Sequence, residues 1–170
     1  AFYYQSCISS VVLPETITAI DELAFAGCNQ LTTVNLPATL ETIGTGAFCD
    51  CVALENVKFG NAVTEIGDFA FKGCTALKNL TLPASVKSVG NASFYGCTAL
   101  TAVKVAEGTE SLGQLCFYGC TALNSVSLPA SLTEIGEYAF NGIDGLTVGN
   151  FDCPAGSYAA EYLTDESLFF

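Results

Sequence analysis

Apolar and polar positions alternate along this chain in short bursts. In residues 25–47, FAGCNQLTTVNLPATLETIGTGA, Val34 and Leu36 flank the polar Asn35, and Leu31 lies three positions ahead of Val34. That alternation predicts a short strand with one face turned inward. Pro37 follows at once, and a proline cannot donate to a sheet ladder, so the strand ends there. Leu40 and Ile43 make a second apolar pair on the return path, and Gly44 is expected to permit the turn after them. No stretch keeps a helical period over the ~10 residues that a crossover helix would need. The predicted unit is thin, strand-first and nearly free of helix.

The unit repeats. Phe2, Phe25, Phe48, Phe71, Phe94, Phe117 and Phe140 are separated by 23 residues at every step. Cys28, Cys51, Cys74, Cys97 and Cys120 keep the same step, as do Leu31, Leu54, Leu77, Leu100, Leu123 and Leu146, with Ile8 ahead of them. The chain therefore divides into repeats 2–24, 25–47, 48–70, 71–93, 94–116 and 117–139, a partial repeat 140–150 and a terminal segment 151–170. A unit this small cannot bury its own Leu, Val, Ile and Phe, whereas stacked neighbours form one continuous core. Consecutive strands are then ~4.8 Å apart in a parallel sheet, and each in-phase side chain sits over its counterpart. The Phe column fills the corner, with Ala24, Ala47, Ala70 and Ala139 as its small neighbours. The predicted fold is a mainly β, right-handed solenoid, following the general hand of parallel connections, with an irregular convex return side.

A solenoid exposes its core at both ends. After Leu146 the phase fails, with Gly149 where Val is expected and Asp152 where Pro is expected. Pro154, Gly156 and Ser157 read as a turn and a helix cap before Tyr158 to Leu163. This short amphipathic segment, with Leu168, Phe169 and Phe170, is predicted to form a C-terminal helical cap. Nothing comparable precedes Phe2, which implies either a longer parent chain or a frayed first unit.

The strings GCTALTAVKV (96–105) and GCTALNSVSLPASLTEIGEYAF (119–140) resemble BspA-like leucine-rich repeats. The resemblance spans almost the whole chain and rests on L-x-x-V-x-L-P, I-G-x-x-A-F and G-C at a fixed period. CPAGSYAAEYL (153–163) is similar to the ending that often follows the last repeat in that family. Gly60 and Ala106 depart from the pattern by replacing Pro, Thr109 by replacing a core Leu, and Asp50 by replacing the corner Gly. Local irregularity is therefore expected in units 48–70 and 94–116. The resemblance implies a leucine-rich-repeat solenoid, secreted or attached to a cell surface, in a family associated with adhesion to host matrix proteins and to other cells. A structural spacer within a longer surface protein is the alternative.

Composition narrows the chemistry. There are 17 carboxylates against 5 lysines, no histidine, and a formal net charge of −12. Such a charge argues against nucleic acid, where released counterions reward Lys and Arg. Without His, the Ser-His-Asp and Cys-His nucleophiles and the imidazole zinc sites are gone. No apolar run approaches the ~20 residues that cross a bilayer. The chain begins at Ala1, so any targeting segment is expected to have been removed or to lie outside it. An enzyme is disfavoured, and no cofactor is implied.

Nine cysteines invite a metal or disulfide reading. Five of them form a straight column, which cannot place four sulfurs at tetrahedral corners ~2.3 Å from a zinc ion. Parallel stacking also leaves their Cβ atoms slightly beyond the ~3.5–4.5 Å that a disulfide wants. Small buried thiols packing at a tight corner are expected instead, with Cys116 in the buried Ala column and Cys49 as the exposed thiol. Glu134 with Glu137, and Glu65 with Asp68, could suggest paired-carboxylate catalysis. They repeat at the same columns in different units, Glu65 with Glu134 and Asp68 with Glu137, beside Glu22 and Glu41, which is the pattern of a solvated face. Asn79-Leu80-Thr81 and Asn91-Ala92-Ser93 match the glycosylation sequon, which is short enough to arise by chance.

The candidate partner-contact face is the outward side of the strand sheet: Asn35, Asn56, Lys58, Asn79, Thr81, Lys104, Ser125 and Ser127. The two columns holding these residues contain no carboxylate, although carboxylates dominate the chain. Lys58 and Lys104 share one column, which regular stacking would place ~9.6 Å apart. The expected partner is a host matrix or cell-surface protein, or a glycan.

Overall fold

Each unit contributes two extended segments, one at the L-x-x-V sequence and one on the return. In the computed structural model, which describes residues 2–165, these become twelve strands and one helix. In chain order they are β1 (Ala19–Ile20), β2 (Thr33–Asn35), β3 (Thr42–Ile43), β4 (Asn56–Lys58), β5 (Glu65–Ile66), β6 (Asn79–Leu82) and β7 (Ser88–Val89). Then follow β8 (Ala102–Val105), β9 (Ser111–Leu112), β10 (Ser125–Ser127), β11 (Glu134–Ile135), β12 (Phe151–Asp152) and the helix α1 (Tyr158–Tyr162). Every pairing is parallel and joins a residue to its counterpart one turn on, such as Val103 to Val126 and Ile43 to Ile66. The result is a parallel β-solenoid of about six turns.

Two features of the ladders go beyond the sequence pattern. The return side, expected to be irregular, carries an unbroken six-stranded sheet in the order β1-β3-β5-β7-β9-β11. Its strands are two residues long, too short for any alternation to register. The principal sheet is divided instead, into β2-β4 and β6-β8-β10-β12. Of the two units expected to be irregular, only 48–70 interrupts the sheet. In 94–116, β8 is paired on both sides, and the buried Thr109 is accommodated because its hydroxyl donates to the Val86 carbonyl at 2.9 Å.

The Phe column forms the centre of the core. From Phe25 to Phe140 successive rings stack 5.2–5.4 Å apart with interplanar angles of 4–11°. Phe151 ends the series by meeting Phe140 edge-on, 5.1 Å away at 87°. The strand phase returns at Phe151 because two extra residues are accommodated in a 3-10 turn, Val148–Asn150, so that Phe151 pairs with Val126 and Asp152 with Ser127. Ser157 caps α1 by accepting the Ala160 N–H at 3.2 Å, and Ala159 and Leu163 are buried. Leu168, Phe169 and Phe170 lie outside the described residues.

The corner cysteines do more than fill space. Each thiol donates to the carbonyl of the Phe 26 residues earlier, from Cys28 to Phe2 at 3.2 Å through Cys120 to Phe94 at 3.3 Å. The column therefore ties each turn to the one before. All nine cysteines are unpaired, and Cys116 is buried. Cys49 is not the exposed thiol: it is half-buried, and burial with the neighbouring Asp50 carboxylate pushes it up to about 11. Cys7 is the exposed one, in a column whose later members, from Gln30 to Ala122, are not buried either.

Burial moves the Cys51 thiol from 9.0 to about 12 and raises Cys74 and Cys116 well above the ordinary value. The folded chain thus keeps protons that the unfolded chain releases. This contribution to stability is whole below pH 9 and is lost as the pH climbs toward 12. Melting temperature is expected to fall across that window. Iodoacetamide at mildly alkaline pH should label Cys7 first and spare the corner column until unfolding. Mass spectrometry that finds Cys74 or Cys97 alkylated in the native protein, or held in a disulfide, contradicts the packing account.

Candidate functional site

The sheet strands present alternate positions outward, because side chains alternate across a strand. All eight candidate residues lie on that side: seven are exposed and Ser127 is half-buried. The register sets Asn35 opposite Lys58, Thr81 opposite Lys104, and Ser125 and Ser127 opposite Ala102 and Lys104. The structure gathers them into two groups, Asn35, Asn56 and Lys58 on the two-stranded sheet and the remaining five on the four-stranded one. Lys58 and Lys104 share a column but stand on different sheets, separated by the break between β4 and β6. The face also is not free of carboxylates at its end, where Asp152 continues the column past Ser127. The two extra residues before Phe151 hid this alignment.

Electrostatically the five lysines divide into two kinds. Lys78 pairs with Glu55 at 2.7 Å, Lys87 donates to the Gly108 carbonyl at 3.2 Å, and Lys72 lies 5.7 and 5.8 Å from the Phe69 and Tyr95 ring centroids. Among the described residues Lys58 and Lys104 have no such partner and are exposed. The two lysines without such a partner both stand on the sheet face.

The sheet is interrupted where Phe59 replaces the aliphatic residue of the other units. Leu36, Leu82, Val105 and Leu128 are at most 6% exposed, while Phe59 is half-buried and turns its ring toward Phe71, 6.1 Å away at 64°. Val57 is uncovered with it, whereas Val34, Leu80, Val103 and Val126 are buried. A shallow cleft opens between β4 and β6, lined by Val57, Lys58, Phe59, Asn61, Asn79, Thr81 and Pro83. Phe59 in a Leu position is the sequence signal for it.

Three carboxylates away from the sheet face, Glu15, Asp68 and Glu107, are engaged in the scaffold. Asp68 accepts the Asn91 N–H at 2.6 Å, and the Asn91 amide oxygen accepts the Gln114 N–H at 2.9 Å, forming a side-chain ladder from turn to turn. Glu107 accepts the N–H groups of Ala130 and Ser131, and Glu15 that of Ala38. Among the described residues no three His, Cys, Asp or Glu side chains converge as metal ligands. The corner also carries an aromatic edge that the repeat pattern did not reveal. Tyr95 and Tyr118 stack at 5.2 Å, beside exposed Phe69 and Tyr138 held at φ +58. Its trace in the sequence is the column Lys72, Tyr95, Tyr118, which reads only as mixed.

This geometry defines a leucine-rich-repeat scaffold. The BspA type leucine rich repeat region matches residues 1–104 and 41–157 in six copies, and the chain belongs to that family. Among solved structures, it is similar to a Treponema pallidum leucine rich repeat protein, at 27% identity and TM-score 0.74, with 84% of this chain and 79% of that one covered. It is also similar to a leucine rich cell surface protein of Faecalibacterium prausnitzii, at 26% identity and TM-score 0.65, covering 92% of this chain and 34% of that one. A leucine-rich repeat protein of Bacteroides capillosus shares 31% identity over 59% of this chain and 78% of its own, with TM-score 0.53. No curated protein matches. No helix among the described residues is long and apolar enough to cross a membrane.

Proposed function

We propose that this chain is a non-enzymatic interaction module, extracellular or at a cell surface, that binds a protein partner through its strand-sheet face in the manner of an adhesin. The observation that carries this is the placement of Lys58 and Lys104, exposed and unpartnered, on the outward side of the sheet in a molecule of net charge −12. An anionic surface approaching elsewhere meets repulsion. The cell-surface description of the Faecalibacterium protein supports the location. A spacer role is the second reading, favoured by the chain's matching only 34% of that longer protein.

Lys58→Glu with Lys104→Glu and Asn56→Asp is expected to abolish binding to a panel of immobilised matrix and cell-surface proteins. Folding should be unchanged, since exposed substitutions usually shift stability by less than about 0.5 kcal/mol. Glu134→Lys with Glu137→Lys, on the return side, should leave binding intact. Loss of binding in the return-side variant alone assigns the contact to the other face. Absence of binding by the wild type to the whole panel favours the spacer.

A further inference from the structure

The break in the principal sheet has a chemical consequence. Phe59 and Gly60 occupy the positions that Leu36 and Pro37, Leu82 and Pro83, and Leu128 and Pro129 fill in other units. With Phe59 turned against Phe71, β4 and β6 do not pair. Among the described residues no backbone hydrogen bond joins 57–59 to 79–81, and the neighbouring link, from the Lys78 N–H to the Glu55 carbonyl, is stretched to 3.4 Å. Main-chain donors and acceptors on both lips must therefore be met by water or by a ligand.

We propose that this cleft binds a sugar bearing a carboxylate, such as a uronic or sialic-type residue of a glycan. The proposal rests on the sheet-face reading for the choice of face and narrows it to one cleft and one ligand chemistry. Lys58 is the single charged group in the lining, and no carboxylate opposes it there. Glu55, the nearest in sequence, is held by Lys78 at 2.7 Å. In a molecule of net charge −12 this is a place where a ligand carboxylate is admitted rather than repelled. Asn61 and Asn79 each offer an amide that both donates and accepts, and the Thr81 hydroxyl does the same. Adjacent sugar hydroxyls have the same dual character. Val57, Phe59 and Pro83 supply an apolar floor for the C–H face of the ring, the usual combination of apolar lining and a few convergent polar groups. The unpaired edges are three and four residues long, too short to hold a peptide strand in register.

Calorimetric titration with sialyllactose and a glucuronate disaccharide tests this, with lactose as the neutral counterpart and a poly-glutamate peptide as the acidic non-sugar. At least one acidic sugar should bind, and lactose should bind about tenfold more weakly or not at all, as expected for a lost charged hydrogen bond. Lys58→Gln should weaken the acidic sugar by a similar factor, whereas Lys104→Gln should not change it. Phe59→Leu with Gly60→Pro restores the pattern of the other units, closes the cleft and should remove binding while thermal unfolding stays cooperative. If that variant does not fold, Asn61→Ala with Lys58→Gln decides in its place. Failure of both acidic sugars to bind, retention of binding by a folded Phe59→Leu/Gly60→Pro protein, or capture of the peptide in preference to the sugars overturns the proposal. The broader face is judged separately, by matrix-protein binding of the Lys104 variants.

Discussion

Phe94→Ala is expected to lower the stability of the protein by roughly 3–5 kcal/mol, the range for truncating a buried Phe. The ring is 1% exposed and stacks on Phe71 at 5.2 Å and on Phe117 at 5.4 Å. Its removal therefore leaves a cavity and ends two ring contacts, each worth ~0.5–1.5 kcal/mol beyond burial. The stability of a solenoid is a sum of unit and interface terms, so a defect in the middle also uncouples the turns on either side. Chemical denaturation should show an earlier and broader transition. Phe2→Ala is the control: that ring is 46% exposed at the end of the stack, and its loss should cost less than about 1 kcal/mol, as surface changes do. A similarly small loss for Phe94→Ala means that the Phe column is not the core.

What the sequence made legible was whatever repeats in register. A side chain that faces its own copy one turn on must recur at a constant step, so the Phe, Leu and Cys columns could be read directly. The helix after Ser157 was legible for another reason: a Gly-Ser turn before an apolar-polar alternation is a local signal, and the Ser157 hydroxyl caps α1 as that signal implies. The features that escaped depend on distances between turns or on a single residue out of pattern. The two-residue strands of the return side carry no periodicity. The thiol-to-carbonyl bonds need the spacing between turns, which no single unit encodes. Phe59 is apolar like the Leu it replaces, so an apolar-polar pattern could not show that its extra bulk divides the sheet.

The candidate face was legible as a set of outward columns, and the structure keeps those residues outward. Its continuity was not legible. Asp152 reaches the column through a 25-residue step from Ser127 instead of 23, and a fixed-period reading looks for its counterpart at Asn150. The carboxylates away from the sheet face read in sequence only as solvated groups, while Asp68, Glu15 and Glu107 each accept a backbone N–H from the following turn. Side-chain to backbone bonds of this kind link sites 23 residues apart, so they become visible only when the turns are stacked.

The I-G glycines illustrate the same limit and yield the second large effect. The turn expected after Gly44 does follow it, beginning at Thr45, but the left-handed corner residues lie in two other columns: Gly27, Gly73, Gly96, Gly119 and Gly142 with Tyr4 and Asp50, and Gly46 with Leu23, Phe69, Ala92, Leu115 and Tyr138. The I-G glycines serve close approach instead. A Cβ on Gly113 would lie 2.5 Å from the Gly90 carbonyl carbon, 2.6 Å from the Asn91 nitrogen and 2.7 Å from the Gly90 oxygen. All three are backbone atoms of the preceding turn, so no side chain can swing aside. A methyl group there must push two turns apart and lengthen the ladder between β7 and β9, whose neighbouring bond, from the Gly113 N–H to the Val89 carbonyl, is 2.8 Å. Overpacking costs ~1–3 kcal/mol and each weakened backbone bond about 1 more, so Gly113→Ala is expected to cost roughly 3 kcal/mol. Gly96→Ala separates this cause from backbone strain: Gly96 has φ +69, and no heavy atom beyond its adjacent residues lies within 4 Å of the place its Cβ would take. Its replacement should cost only the ~1 kcal/mol or so of a left-handed non-glycine residue. Urea denaturation of the two variants compares them directly. If Gly96→Ala proves the more damaging, the spacing between turns is not what demands glycine after Ile, Val and Leu on the return strands.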